Sequence, residues 1–176
     1  MDVFSITDGA DHKDVVRLLS LSCIMMSKIK VVPPEQNLDK ASYTSCIILT
    51  SDKNIMLQKR PATWSTFPNH LCTFGGSIHR EETPLQTIIR ELAEEVGASA
   101  HPNELIFLDA YTEEITQHKE IIFGYFWHDK KSTITGCYKG QAHYIKHLYE
   151  LNEHPLVVDD VSWLIGQCFK RKLIVF

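Results

Sequence analysis

Apolar residues along the chain recur with two different periods. Residues 43–50, YTSCIILT, and 54–60, NIMLQKR, are rich in β-forming side chains and are separated by Ser51-Asp52-Lys53, a pattern that predicts a β-hairpin. A loop carrying Pro61, Trp64 and Pro68 leads to a short strand near 70–74, and two further strands are expected at about 104–112 and 119–128. Between them, Leu85, Ile88, Ile89, Leu92 and Val96 fall on one stripe of a helix at about 100° per residue. Both ends of that helix are marked. Thr83 and Gln86 have capping-box spacing, Pro84 sits at the first helical position, and Gly97 suits the left-handed conformation that ends a helix. Toward the C-terminus the pattern predicts a strand over His143–Tyr149, a turn of helix over Glu150–Glu153, and a last helix over 159–170. At the other end, Val15, Val16, Leu19, Cys23 and Met26 give residues 12–29 an amphipathic or buried helix, so a helical segment is expected at about 1–34, closed by Pro33-Pro34 and a linker.

The central helix is odd in its acids. Glu91 and Glu95 project roughly 80 to 100° to one side of the apolar stripe and Glu94 roughly opposite it, so the three are expected off the core. Glu91 meets Glu94 and Glu95 at i,i+3 and i,i+4, and all three sit at the negative end of the helix dipole. Arg90 relieves part of this repulsion. A solvated acidic face is the simpler explanation of such a cluster. Gly75-Gly76 just before the helix shifts the balance, because glycines let backbone carbonyls approach a ligand, and carboxylates with carbonyls are the donors a hard divalent cation takes.

Composition narrows the partners. A chain of 176 residues with 44% apolar content supports one domain and one substantial core. The formal charge is −4 and the only basic cluster is Lys170-Arg171-Lys172, which argues against a nucleic-acid track and for a small-molecule substrate. Five widely spaced cysteines with no C-x-x-C pair indicate neither a disulfide framework nor a zinc site and fit a reducing, cytoplasmic setting. The run LLSLSCIMMS at 18–27 is too short to span a bilayer and follows four aspartates, so neither a signal peptide nor a membrane anchor is expected.

From Gly76 to Ala98 the residues follow G-x5-E-x7-R-E-U-x-E-E-x-G-U, where U is a bulky aliphatic, and so the segment resembles the Nudix box. Ala98 alone departs from it. The resemblance implies an α/β/α sandwich built on a mixed β-sheet, one domain over 1–176, and a pyrophosphohydrolase that uses Mg²⁺ or Mn²⁺. It makes Glu91, Glu94 and Glu95 the metal ligands, with the Gly75 carbonyl as a further one, and leaves Glu91 the alternative role of general base. It casts Glu82 and Arg90 as a pair that pins loop to helix, although a negative charge at a helix N-terminus explains Glu82 almost as well. A distal acid is sought among Glu113, Glu114 and Glu120, since Gln141 stands where related chains often have Glu. His70, His79, His118 and His128 are weaker phosphate candidates. Arg60, Trp64 and Phe67 are the substrate-side candidates; for the aromatics, and for Tyr111 and Trp127, core packing is the simpler reading.

Substrates implied are nucleoside diphosphates linked to another moiety, with damaged triphosphates, ADP-ribose, dinucleoside polyphosphates and capped RNA all left open, as is a homodimer. Two other classes compete. One is a regulatory nucleotide-binding module that has lost turnover. The other is an isopentenyl diphosphate isomerase, whose lead-in QKRPATWSTFPNHLC resembles, but Gly75 and Ser77 stand where that family has its catalytic Cys and a metal-binding His, and Cys72 lies three residues too early.

Overall fold

A computed structural model describes residues 28–175. The helix expected at 12–29 therefore lies outside the described residues, apart from its end, and there the expectation is corrected. Ile29–Val32 is a strand, β1, which pairs antiparallel with Leu105–Glu113, β5. Its two buried or half-buried ends flank exposed Lys30 and Val31, a pattern too short to distinguish from a helix end by periodicity. Single 3₁₀ turns at Pro34–Gln36 and Leu38–Lys40 then carry the chain to the sheet centre.

The predicted hairpin is present as β2, Ala41–Leu49, and β3, Ile55–Lys59, joined through a turn in which the Lys53 amide donates to the Thr50 carbonyl. After β4, Leu71–Cys72, comes the central helix α1, Pro84–Val96, followed by β5 and by β6, Ile121–His128. β7, Gln141–Ile145, α2, Tyr149–Glu153, and α3, Asp159–Lys170, complete the described chain. β7 begins two residues earlier and ends four earlier than its predicted span. Its register explains both limits: Gln141 faces Lys59 and Ile145 faces Ile55, so the strand lasts as long as its partner β3.

The sheet runs β1-β5-β6-β2-β3-β4, with β7 on the other edge of β3. β2 and β6 are parallel and every other pairing is antiparallel, so the sheet is mixed. β2 is buried on both faces, and alternate residues serve two cores. Cys46 and Ile48 pack with Ile88, Leu92 and Val96 of α1, whereas Ile47 and Leu49 pack with Val161, Leu164 and Ile165 of α3. Helices on both faces make the α/β/α sandwich.

On α1 the capping box forms in both directions, and Gly97 takes φ 62° to end the helix. The buried face is rotated from the predicted stripe, however. Thr87, Glu91 and Glu95 are buried, while Leu85 and Ile89 are only half-buried. Two of the three acids thus point inward.

Candidate active site

The turn before α1 brings backbone against the sheet and carboxylates against backbone. Gly75 has φ 143°, open to glycine, and any Cβ there would collide with the Thr44 carbonyl. A Cβ on Gly76 would occupy the place of the Glu91 carboxylate. The two glycines are therefore required by close approach, and they let Glu91 and Glu95, 6% and 2% exposed, converge beside the loop. Glu95 accepts a hydrogen bond from the Gly75 amide at 3.0 Å and an ion pair from Lys139 at 2.9 Å. Burial pushes the Glu95 carboxyl up, and Lys139 and the amide partly hold it down.

Arg90 organises the acids on the other side. It holds Glu82 through Nε at 2.8 Å and Nη2 at 3.0 Å, Glu91 at 2.8 Å, and the Ser77 carbonyl at 3.1 Å. Glu82 also accepts from the Thr87 hydroxyl and the His79 amide, and these bonds, led by that of Arg90, lower its pKa to about 2. The expected loop-to-helix pair is thus formed, with Glu82 as its hub. Glu94 stands apart. Its side chain is 59% exposed and reaches Arg90 at 3.4 Å. Glu91 and Glu95 are brought together; Glu94 is left at the rim. Among the described residues no group of three or more His, Cys, Asp or Glu side chains is arranged to hold a metal.

Glu91, Glu95, Gly75 and Gly76 line one side of a cavity of about 770 Å³. Arg60 and Phe67 line it from the β3 side, as do buried Gln58 and Cys72. Trp64 does not line it. Its ring lies under the Arg60 guanidinium, 4.7 Å from the carbon to the ring centre, so Trp64 supports the arginine. Of the histidines, His79 lines the cavity, His118 bonds Thr112, and His128 sits 3.3 Å from Lys53. His70 contacts the Pro68 carbonyl at 2.8 Å. Tyr111 and Trp127 are fully buried in the core.

A second acidic group lines the same cavity. Glu113 and Glu120 line the cavity, and Glu114 faces a smaller neighbouring pocket. Asp160, at the start of α3, closes this side and accepts from Tyr111 at 3.0 Å, with the Ser45 hydroxyl at 3.3 Å. Burial, and next the charges of Asp160, Asp159 and Glu120, raise Glu113 to about 8; burial likewise raises Asp160. Gln58, Lys139 and Asp160 were not singled out from sequence. Asp160 follows Asp159 at a helix start, where acids are common for dipole reasons alone, and nothing local marks the other two. Cys72 is pushed up to about 12 by burial, against the nearby Arg60, so its thiol stays protonated at neutral pH.

A mixed sheet between helical layers thus carries a glycine turn that feeds a carboxylate-bearing helix into the cavity. A family model, the NUDIX domain, matches residues 40–163. The chain belongs to the Nudix family. No curated protein sequence matches it. Among solved structures, a MutT/nudix family protein from Enterococcus faecalis is similar at 15% identity and TM-score 0.60, over 93% of this chain and 70% of that one. The NUDIX domain of Shewanella oneidensis NrtR, crystallised with ADP ribose, is 17% identical with TM-score 0.56, covering 80% and 94%. A bifunctional NMN adenylyltransferase/ADP ribose pyrophosphatase from Francisella tularensis, complexed with AMP and a manganese ion, is 12% identical with TM-score 0.56, covering 90% of this chain and 47% of that one. Identities this low carry the fold alone. Among the described residues no helix is long and apolar enough to cross a membrane.

Proposed function

We propose that this chain hydrolyses the pyrophosphate bond of a nucleoside diphosphate linked to another moiety, with Mg²⁺ or Mn²⁺ as cofactor. The observation that carries this reading is the pair of buried carboxylates, Glu91 and Glu95, set against Gly75 and Gly76 at a cavity of about 770 Å³. Hard oxygen donors fit a hard cation: Glu91 and Glu95 would hold it, Glu94 could reach it from the rim, and the Gly75 carbonyl would be a further donor, the Gly76 carbonyl being taken by Thr44. Bound there, the ion would neutralise phosphate charge and lower the pKa of an attacking water.

The chain's own groups do the rest. Glu82 fixes Arg90, and Arg90 fixes Glu91 by a charge-assisted bond of 2.8 Å. The Gly75 amide orients Glu95. Arg60, propped on Trp64, offers positive charge to the phosphates, and Phe67 offers an aromatic face. Burial and the charges of Asp160, Asp159 and Glu120 raise Glu113 and favour its protonated form, which makes it a poor general base. Glu91 and Glu120 remain as candidates for that role. The ADP ribose and AMP bound by the two neighbours make adenosine diphosphate conjugates the first substrates to try.

A release assay against ADP-ribose, dinucleoside polyphosphates, modified triphosphates and capped RNA, with Mg²⁺ and with Mn²⁺, tests the proposal. In ¹⁸O water the label should enter a phosphate-containing product, and Cys72→Ser should leave the rate nearly unchanged. Tight nucleotide binding without any turnover across the panel would replace the hydrolase with a binding module.

A further inference from the structure

The segment between β6 and β7 is strapped to the C-terminal end of α1. Asp129, buried, accepts from the amides of Thr133 and Ile134 and closes the turn that starts it. The Thr135 amide then donates to the Val96 carbonyl at 3.1 Å and the Tyr138 amide to the Glu95 carbonyl at 2.7 Å, capping two carbonyls a helix end leaves free. On the far side, Gly140 has φ 79°, and a Cβ there would lie 2.8 Å from the Lys59 carbonyl oxygen. Gln141 pairs with Lys59 immediately after. Lys139 is thus anchored by α1 on one side and by β3 on the other.

This anchorage delivers the Lys139 ammonium to the cavity wall, 2.9 Å from Glu95 Oε1. An ammonium has three N–H donors, and Glu95 takes one. Two residues of the same wall, Gln58 and Arg60, each bury a donor that no other group reaches among the described residues. Gln58 is 4% exposed and its amide nitrogen has no partner, and the buried Nε of Arg60 has none either. Buried donors left unpaired are costly, and all three of these residues line the cavity. The Lys139 side chain is 48% exposed, so its remaining donors stay accessible, which a counter-ion role toward Glu95 does not require.

We propose that Lys139 binds substrate directly and, beside the Arg60 guanidinium, holds the diphosphate group in this cavity. The inference rests on the diphosphate reading above and adds the residues that grip the anion independently of the metal. Lys139 acts as a fixed cation whose position is set by the strap and by Glu95.

The test is calorimetric titration of pyrophosphate, ADP and adenosine into the full chain in EDTA, where no divalent ion contributes. Lys139→Met should weaken pyrophosphate and ADP by about tenfold or more, as expected for losing one charged hydrogen bond, with adenosine unaffected. Lys139→Arg should keep most of the affinity. Pyrophosphate affinity within about twofold of wild type in Lys139→Met would overturn the proposal and leave the lysine as a counter-ion of Glu95. Should that variant not fold, Lys139→Gln, which keeps a polar side chain without the charge, carries the same expectation and the same refutation. A wild-type chain that binds neither pyrophosphate nor ADP in EDTA would overturn this inference alone, whereas failure to bind ADP in Mg²⁺ as well would overturn the diphosphate reading with it.

Discussion

Glu94 and Glu95 are neighbours with opposite environments, and substitution should separate them. Glu95→Gln removes a charge that burial disfavours more than Lys139 and the Gly75 amide stabilise it, so it should abolish turnover while Tm in EDTA at neutral pH stays equal to or above that of wild type. Glu94→Gln, more than half exposed, should leave that Tm unchanged. A loss of Tm for Glu95→Gln would show that the Lys139 ion pair outweighs the cost of burial. Glu113 gives a pH signature. Its folded pKa of about 8 lies above the ordinary carboxylate value of 4.5, so the folded chain binds more protons than the unfolded one between these values. Stability from this group is accordingly full below pH 4.5 and falls as pH rises toward 8. Glu113→Gln should therefore raise Tm at pH 8 and leave it nearly unchanged at pH 4.5, and a gain independent of pH would refute the assignment.

The helix α1 joins local signals to distant ones. Its capping box and its glycine terminator are set by residues within a few positions, which is why both were legible in sequence. Its burial was read less well, because the apolar stripe alone is blind to what the loop before the helix brings near it. Gly97 belongs to both levels. At φ 62° an added side chain is strained, and its Cβ would run into the Thr135 hydroxyl of the strap. Gly97→Ala should lower stability by at least about 1–2 kcal/mol in urea unfolding, the cost of a left-handed alanine before any clash. No loss would mean that the strap yields freely.

Across the whole molecule, the cavity draws on parts of the chain far apart in sequence: β3 and the box, and then Lys139 and Asp160 from the last third of the described residues. Cation binding should tie them together. Saturating Mg²⁺ or Mn²⁺ should raise Tm by mass action, about 2.7 kcal/mol at a hundredfold excess over Kd, and Glu91→Gln/Glu95→Gln should lose that gain. An equal gain in the variant would move the ion elsewhere. The family, the α/β/α layering and the positions of α1, α2, α3 and most strands follow from sequence, because period, caps and box spacing are local properties of the chain. β1 was hidden because a four-residue strand carries too little periodicity to oppose a neighbouring helical pattern. The extent of β7, the inward turn of Glu91 and Glu95, the raised pKa of Glu113 beside Asp160, and the placement of Lys139 on Glu95 were decided only by the tertiary structure. Each depends on charges, carbonyls or strand partners that are remote in sequence, and burial and electrostatic coupling exist only once the fold has brought them within a few ångströms.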